Sequence, residues 1–173
     1  MDTDILLIQK MRMGDERAVE LFVEKYFSRI LRYCRSHIGD PGYAEDMAQE
    51  TFVRFFRTLP QYRHYGKAAN YLYAIASNVC SDYYRKNYVR NQKEIPLEEA
   101  MEYPDSQSED LEQAMEVRMA FEALPEELRE VAVLYFQQEQ KQKDIARILG
   151  IGLPLVKYRI RKIREWMAEY LEI

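Results

Sequence analysis

Asp144 to Arg164 reads DIARILGIGLPLVKYRIRKIR, and its residue types suit the gripping of a polyanion. Lys157, Arg159, Arg161, Lys162 and Arg164 crowd one short stretch, with no acidic residue between Gly150 and Arg164. Cations concentrated in this way neutralise phosphates and release their counterions, which makes the affinity steeply salt-dependent. Two helical patterns frame them. Ile145, Ala146 and Leu149 form one apolar face, and Val156, Ile160, Ile163 and Met167 restart the spacing on a second segment. Ala146 permits two helices to approach closely at a steep crossing, Gly150 supplies a left-handed stop and Val156 fills the wedge between them. The spacing predicts a helix-turn-helix whose second helix enters a DNA major groove. Candidates for contact with DNA are Leu155, Lys157, Tyr158, Arg159, Arg161, Lys162 and Arg164, with base edges read by one or two residues near Leu155 to Arg159. An ordinary helical hairpin with a solvated basic face is the competing reading. The Ala-Gly-Val spacing and the one-signed charge favour DNA.

A second stretch has a different chemistry. Gln61 to Tyr73, QYRHYGKAANYLY, interleaves Tyr62, Tyr65, Tyr71 and Tyr73 with Arg63, His64 and Lys67. Rings stack on unpaired bases at about 1–3 kcal/mol each while cations follow the phosphates, the combination that single-stranded nucleic acid requires. The helical pattern that follows carries Tyr71, Asn78, Asp82 and Lys86 along one outward face, with Arg85 beside them. Candidates for binding single-stranded nucleic acid are Tyr62, Arg63, Tyr65, Lys67, Tyr71, Asn78, Asp82, Arg85 and Lys86. Some of the 14 tyrosines must instead be amphipathic residues at the edge of a core.

Ala44 to Arg57, AEDMAQETFVRFFR, offers a third surface. Ala44, Met47, Ala48, Phe52, Phe55, Phe56 and Leu59 make a wide apolar stripe, and Asp46, Gln49, Glu50, Val53, Arg54 and Arg57 share the opposite side. Asp46, Glu50 and Arg54 follow one another at four-residue intervals, so they line up along the helix, ready for a partner helix or stitched by weak ion pairs in solvent.

The elements that must position these groups are all helical. Glu16 to Ile38 sets Val19, Phe22, Val23, Tyr26, Ile30 and Cys34 along one stripe. Gly39-Asp40-Pro41-Gly42 breaks it, with Asp40 as a cap for a helix to about Leu59, and a further helix runs from about Lys67 to Arg90. From Asn91 to Glu112 the periodicity fades into an acidic, proline-containing linker. The expected fold is all-α, with two small helical domains at 1–92 and 113–173 joined by a flexible acidic linker at 93–112. Charge follows that division. The net charge is −4, yet Met1–Glu94 holds 15 basic and 12 acidic residues while Ile95–Leu124 holds one arginine against nine acids. Cys34 and Cys80 fall on apolar sides and are expected as buried free thiols, and His37 and His64 are isolated, so no metal and no cofactor is expected. No apolar run approaches the roughly 20 residues of a membrane span. The N-terminus lacks a signal-peptide pattern, so a cytoplasmic location is expected.

A four-helix unit, an acidic linker and a terminal helix-turn-helix together resemble a bacterial RNA polymerase sigma factor of the extracytoplasmic-function (ECF) group, over nearly the whole chain. AEDMAQETFVRFFR resembles the group's polymerase-binding helix, and NYLYAIASNVCSDYYRKN its promoter-melting helix. ALPEELREVAVLYF followed by DIARILGIGLPLVKYRIRKIR resembles its −35-binding domain. The resemblance implies that Asp46, Gln49, Glu50 and Arg54 contact core RNA polymerase. It implies that Tyr71, Asn78 and Asp82, with the loop from Tyr62 to Ala69, hold the melted −10 strand. It also implies that Leu153 to Arg164 reads the −35 element, that the linker threads toward the polymerase channel and that an anti-sigma factor is a further partner. Three departures from the group's pattern stand out. Glu139, Gln140 and Lys141 occupy the place of a Gly-Leu-Ser turn, which removes a turn glycine and a capping hydroxyl. Gly152 replaces a serine cap, with Pro154 and Leu155 where Gly-Thr is usual, and Leu155 cannot donate the hydrogen bond that Thr could. Tyr71 replaces a common tryptophan and keeps a stacking ring.

A sigma factor is expected to be a monomer that binds promoter DNA with polymerase and does no covalent chemistry. The alternative, a dimeric helix-turn-helix repressor, leaves the tyrosine-rich loop and the acidic linker without purpose. An enzyme is disfavoured because no nucleophile-base pair or phosphate loop is present.

Overall fold

The computed structural model describes residues 3–64, 66–91 and 109–172. Among them are eight α-helices and no strand. The helices are α1 (Thr3–Arg12), α2 (Glu16–His37), α3 (Pro41–Thr58), α4 (Ala68–Asn91), α5 (Glu109–Glu122), α6 (Glu126–Ala132), α7 (Gln142–Leu149) and α8 (Leu153–Tyr170). The chain divides into two compact units, the first built on α1–α4 and the second on the elements from α5 onward. α5 begins at Glu109, within the stretch expected as linker. Residues 93–108 of the expected linker lie outside the described residues.

The first unit's core follows the predicted stripes. Phe22, Tyr26, Ile30 and Cys34 of α2 are buried, as are Ala44, Ala48, Phe52 and Phe55 of α3 and Leu72, Tyr73, Ala76, Val79 and Cys80 of α4. Phe22 and Phe55 stack with centroids 4.8 Å apart, a pairing that contributes about 0.5–1.5 kcal/mol beyond its area. Cys34 and Cys80 are both buried thiols, with their sulfurs 3.9 Å apart. The start of α3 is fixed by Asp40, whose carboxylate accepts from the backbone N–H groups of Gly42 (2.8 Å) and Tyr43 (3.1 Å). Pro41 follows at the position where its missing N–H removes no helical bond.

In the second unit, Leu124, Leu128, Val131, Ala132, Ile145, Val156, Ile160 and Ile163 form the core. Arg129 ties the corner between α5 and α6 by donating to the carbonyls of Glu122 (2.9 Å) and Leu124 (3.0 Å). α6 then widens into a π-helical turn at Val133–Gln137, closed by Gln138 N–H donating to the Val133 carbonyl at 2.9 Å. Sequence periodicity predicts a plain α-helix there.

Candidate nucleic-acid interface

The helix-turn-helix forms as its spacing predicts. α7 ends on Gly150, whose φ of +64° is the left-handed conformation that a side chain adopts only with strain. The Ile151 N–H then donates back to the Ala146 carbonyl at 3.0 Å, closing the helix end. Three residues later α8 begins, with Gly152 at its cap and Pro154 in its first turn. Val156 is buried, as are Ile160 and Ile163 along α8, and α8 packs on α6. The opposite side of α8 faces outward with Leu155, Lys157, Tyr158, Arg161 and Arg164 exposed, while Arg159 and Lys162 are half-buried. Lys162 donates to Glu165 at 2.8 Å, and Arg161 lies 3.7 Å from the same carboxylate. Hydrogen bonding to Lys162 holds the Glu165 carboxyl below its ordinary range and pushes the Lys162 ammonium up. Both cations also approach the Tyr158 ring, at 5.5 and 5.9 Å from its centroid. The basic row is therefore partly occupied by one acid, just beyond the acid-free stretch.

The departures before the helix-turn-helix have a visible consequence. Glu139 adopts φ +51°, a conformation that glycine reaches freely and that costs an ordinary residue about 1 kcal/mol. Lys141 caps α7 without any side-chain hydrogen bond. The turn takes a glycine-like backbone at Glu139 and has no side-chain cap before α7.

In the first unit, α3 and α4 bring the other candidates together. Asp46 and Gln49 are placed on the outer face of α3, with Glu50 and Arg54 half-buried beside them. Arg54 donates through Nε to Glu50 (2.8 Å) and through Nη1 across to Asp82 of α4 (2.9 Å). Arg85 adds a second bond to Asp82 at 2.8 Å. These bonds, first that from Arg54, hold the Asp82 carboxyl below its ordinary range. Two groups that the sequence assigns to different partners thus belong to one ion-pair chain. Asn78 and Lys86 are exposed on the same helix.

The tyrosines divide into two roles. Tyr62 and Tyr71 stack on each other at 4.8 Å with an interplanar angle of 24°. Phe55 lies behind both, at 5.7 and 5.9 Å, and the Tyr62 hydroxyl meets Nδ1 of His64 at 3.1 Å. Tyr62 is only 9% exposed, and its ring backs the stack. Tyr71 is half-exposed and anchored by its hydroxyl, which donates to Thr58 at 3.0 Å. Arg63 and Lys67 lie on the exposed side of the loop, and Gly66 turns it with φ +113°. Tyr65 lies outside the described residues.

Sequence reasoning passed over several residues. Arg12, at the end of α1, donates through Nε to the Leu59 carbonyl at 3.1 Å and through Nη2 to the Tyr62 carbonyl, at the mouth of this loop. Thr58 and Glu165 were equally silent. A bond between residues 47 or 50 positions apart leaves no local signal.

Two family descriptions match the chain: sigma-70 region 2 over residues 22–89 and sigma-70 region 4 over residues 114–167. The first covers α2–α4 with the loop, the second the unit that ends in the helix-turn-helix. The chain is an ECF-group RNA polymerase sigma factor. Among curated relatives, the ECF RNA polymerase sigma factor SigW of Bacillus subtilis (strain 168) is 28% identical over 95% of this chain and 94% of its own length. The RNA polymerase sigma-H factor of Pseudomonas aeruginosa is 27% identical over 99% of this chain and 95% of its own. The fold is shared with CnrH, solved with the cytosolic domain of CnrY (TM-score 0.76, 23% identity, 99% of this chain and 98% of that one). It is shared also with the sigma factor RpoE of Bartonella quintana, solved with the anti-sigma factor NepR (TM-score 0.73, 20% identity, 90% and 97%). The sigma factor's partners are core RNA polymerase and promoter DNA. Among the described residues no helix is long and apolar enough to cross a membrane.

Proposed function

We propose that this sigma factor divides its work among three surfaces. Asp46, Gln49, Glu50 and Arg54 on α3 dock on core polymerase. The loop from Arg63 to Lys67, with Tyr71, Asn78, Asp82, Arg85 and Lys86, captures the melted −10 strand, and Tyr62 supports Tyr71 from behind. α8 reads the −35 element, with Leu155, Lys157, Tyr158 and Arg159 nearest its start and Arg161, Lys162 and Arg164 on phosphates. The acidic stretch at 93–112 joins the two units and follows the polymerase channel. The factor acts in the cytoplasm as a monomer, makes and breaks no covalent bond itself, serves a stress or envelope-response regulon and is held in reserve by an anti-sigma factor.

One observation carries this reading: the half-exposed Tyr71 stands on a second ring beside a cationic loop, on the same unit as an acidic helix face. Stacking, phosphate pairing and a polar docking surface are then adjacent. The test is a partition of defects. Glu50→Lys should abolish binding to core polymerase. Tyr71→Ala should leave that binding intact and suppress strand opening. Arg161→Ala should weaken duplex promoters yet spare a pre-melted template. Loss of all three functions in every variant would contradict the division.

A further inference from the structure

α1 lies before the matched region 2, which begins at residue 22. Its placement is nevertheless tightly specified. Ile8 and Met11 are buried against the unit's core. Asp4, 4% exposed, accepts from Lys25 at 2.6 Å and from the Tyr26 hydroxyl at 2.5 Å, pinning the start of α1 to α2. At the other end the chain turns sharply. Gly14 takes φ +83°, its N–H donates to the Met11 carbonyl at 3.0 Å, and Asp15 caps α2 through Ala18 N–H at 3.1 Å. Arg12 thus projects from a corner braced on both sides.

Its guanidinium spans the carbonyls of Leu59 and Tyr62. Leu59 closes α3, and Tyr62 is the residue from which the loop leaves. A cation at a helix C-terminus complements the helix dipole. The planar fork of arginine serves two acceptors at once, which a lysine ammonium, as a single point donor, does less well. Between the two carbonyls lie only Pro60 and Gln61, so the clamp sets the direction in which Arg63 to Lys67 depart. It also seats the Tyr62 backbone, and with it the ring on which Tyr71 stacks.

We propose that Arg12 is a positioning residue for −10 strand capture: α1 acts as a strut that aims the strand-binding loop. The inference rests on the assignment of that loop to the melted strand. Arg12 touches no base. It holds the groups that do, and a small misplacement of such groups lowers a rate by up to about a hundred-fold.

The test uses full-length wild type, Arg12→Met, Arg12→Lys and Arg63→Ala, each assembled with core polymerase. The DNA is a promoter fragment from which the wild-type holoenzyme initiates, together with versions changed at single −10 positions. Core affinity is measured alongside permanganate reactivity of unpaired −10 thymines. Arg12→Met should retain core affinity, lose about ten-fold in opening and level the preference among −10 bases, since a charge-assisted bond is worth about that factor. Arg12→Lys should fall between. A merely stabilising role would lower the melting temperature but leave the base preference intact, and that result overturns the inference. Where Arg12→Met fails to fold, an unchanged base preference in Arg12→Lys overturns it equally. Normal opening and base preference in Arg63→Ala would overturn the loop assignment and the inference with it. A defective Arg63→Ala beside an intact Arg12→Met overturns the inference alone.

Discussion

Arg54 of α3 donates to Asp82 of α4 at 2.9 Å while also bonding Glu50, four residues before it, at 2.8 Å. α3 and α4 are thereby joined by an ion pair in which both side chains are about one-third exposed. Pairs this exposed contribute roughly 0–1 kcal/mol. The link is therefore a weak one.

The pH dependence of that link has a defined sign. Arg54 holds the Asp82 carboxyl below its ordinary value in the folded state. Its contribution is therefore present above the ordinary aspartate range and is lost as pH falls through the lower, folded value. Asp82→Asn should lower stability near neutrality by less than about 1 kcal/mol, after allowance for solvent screening. In urea titrations the difference from wild type should vanish in strong acid. A difference that grows on acidification would contradict the pairing.

Glu139 marks strain that substitution should relieve. Glu139→Gly removes the side chain that resists φ +51° and should stabilise the fold by about 1 kcal/mol. Lys141→Ser supplies the missing cap of α7 and should add about 0.5–1 kcal/mol. Urea midpoints of the full-length protein check both. A loss on Glu139→Gly would mean that the carboxylate has a role outweighing the strain.

Glu165 restrains the basic row of α8. Glu165→Gln should release Lys162 and Arg161, so that affinity for duplex DNA rises at low salt. The slope of log affinity against log salt should steepen by roughly 0.9 for each additional phosphate neutralised. Arg161→Ala should do the reverse on every promoter. A salt series by fluorescence anisotropy, with holoenzyme and −35 duplexes, reads both changes.

Leu155 is 39% exposed near the start of α8. A branched apolar side chain recognises a thymine methyl and donates no hydrogen bond. Leu155→Thr should alter base preference at one −35 position, by about 1–3 kcal/mol between bases, and leave the salt slope unchanged. Selection from randomised −35 duplexes would show it; an unaltered preference would place Leu155 outside the groove.

The helix-turn-helix was legible because a 3.6-residue period, a small residue and a stop glycine each have one inexpensive structural solution. The stripes of α2 and α3 were legible for the same reason, as was the burial of Cys34 and Cys80. The absence of a glycine at 139 signalled an altered turn, although not that glutamate would adopt the glycine-like backbone. Tyr62 and Tyr71 were indistinguishable in sequence, since burial depends on whether Phe55 and His64 close around a ring. The π-helical turn after α6 was hidden because a shift from i+4 to i+5 bonding changes no residue type. Arg12 was hidden because its acceptors are backbone carbonyls, which every residue carries.

The central claim is that this chain directs polymerase to promoters. Its most direct test is transcription in vitro with sigma-free bacterial core polymerase on fragmented genomic DNA of the source, with mapping of RNA 5′ ends. New starts that share −10 and −35 elements, and disappear when Tyr71→Ala or Glu50→Lys replaces the wild type, are the predicted result. An absence of starts, with the protein binding DNA as a dimer and failing to associate with core polymerase, would contradict the account.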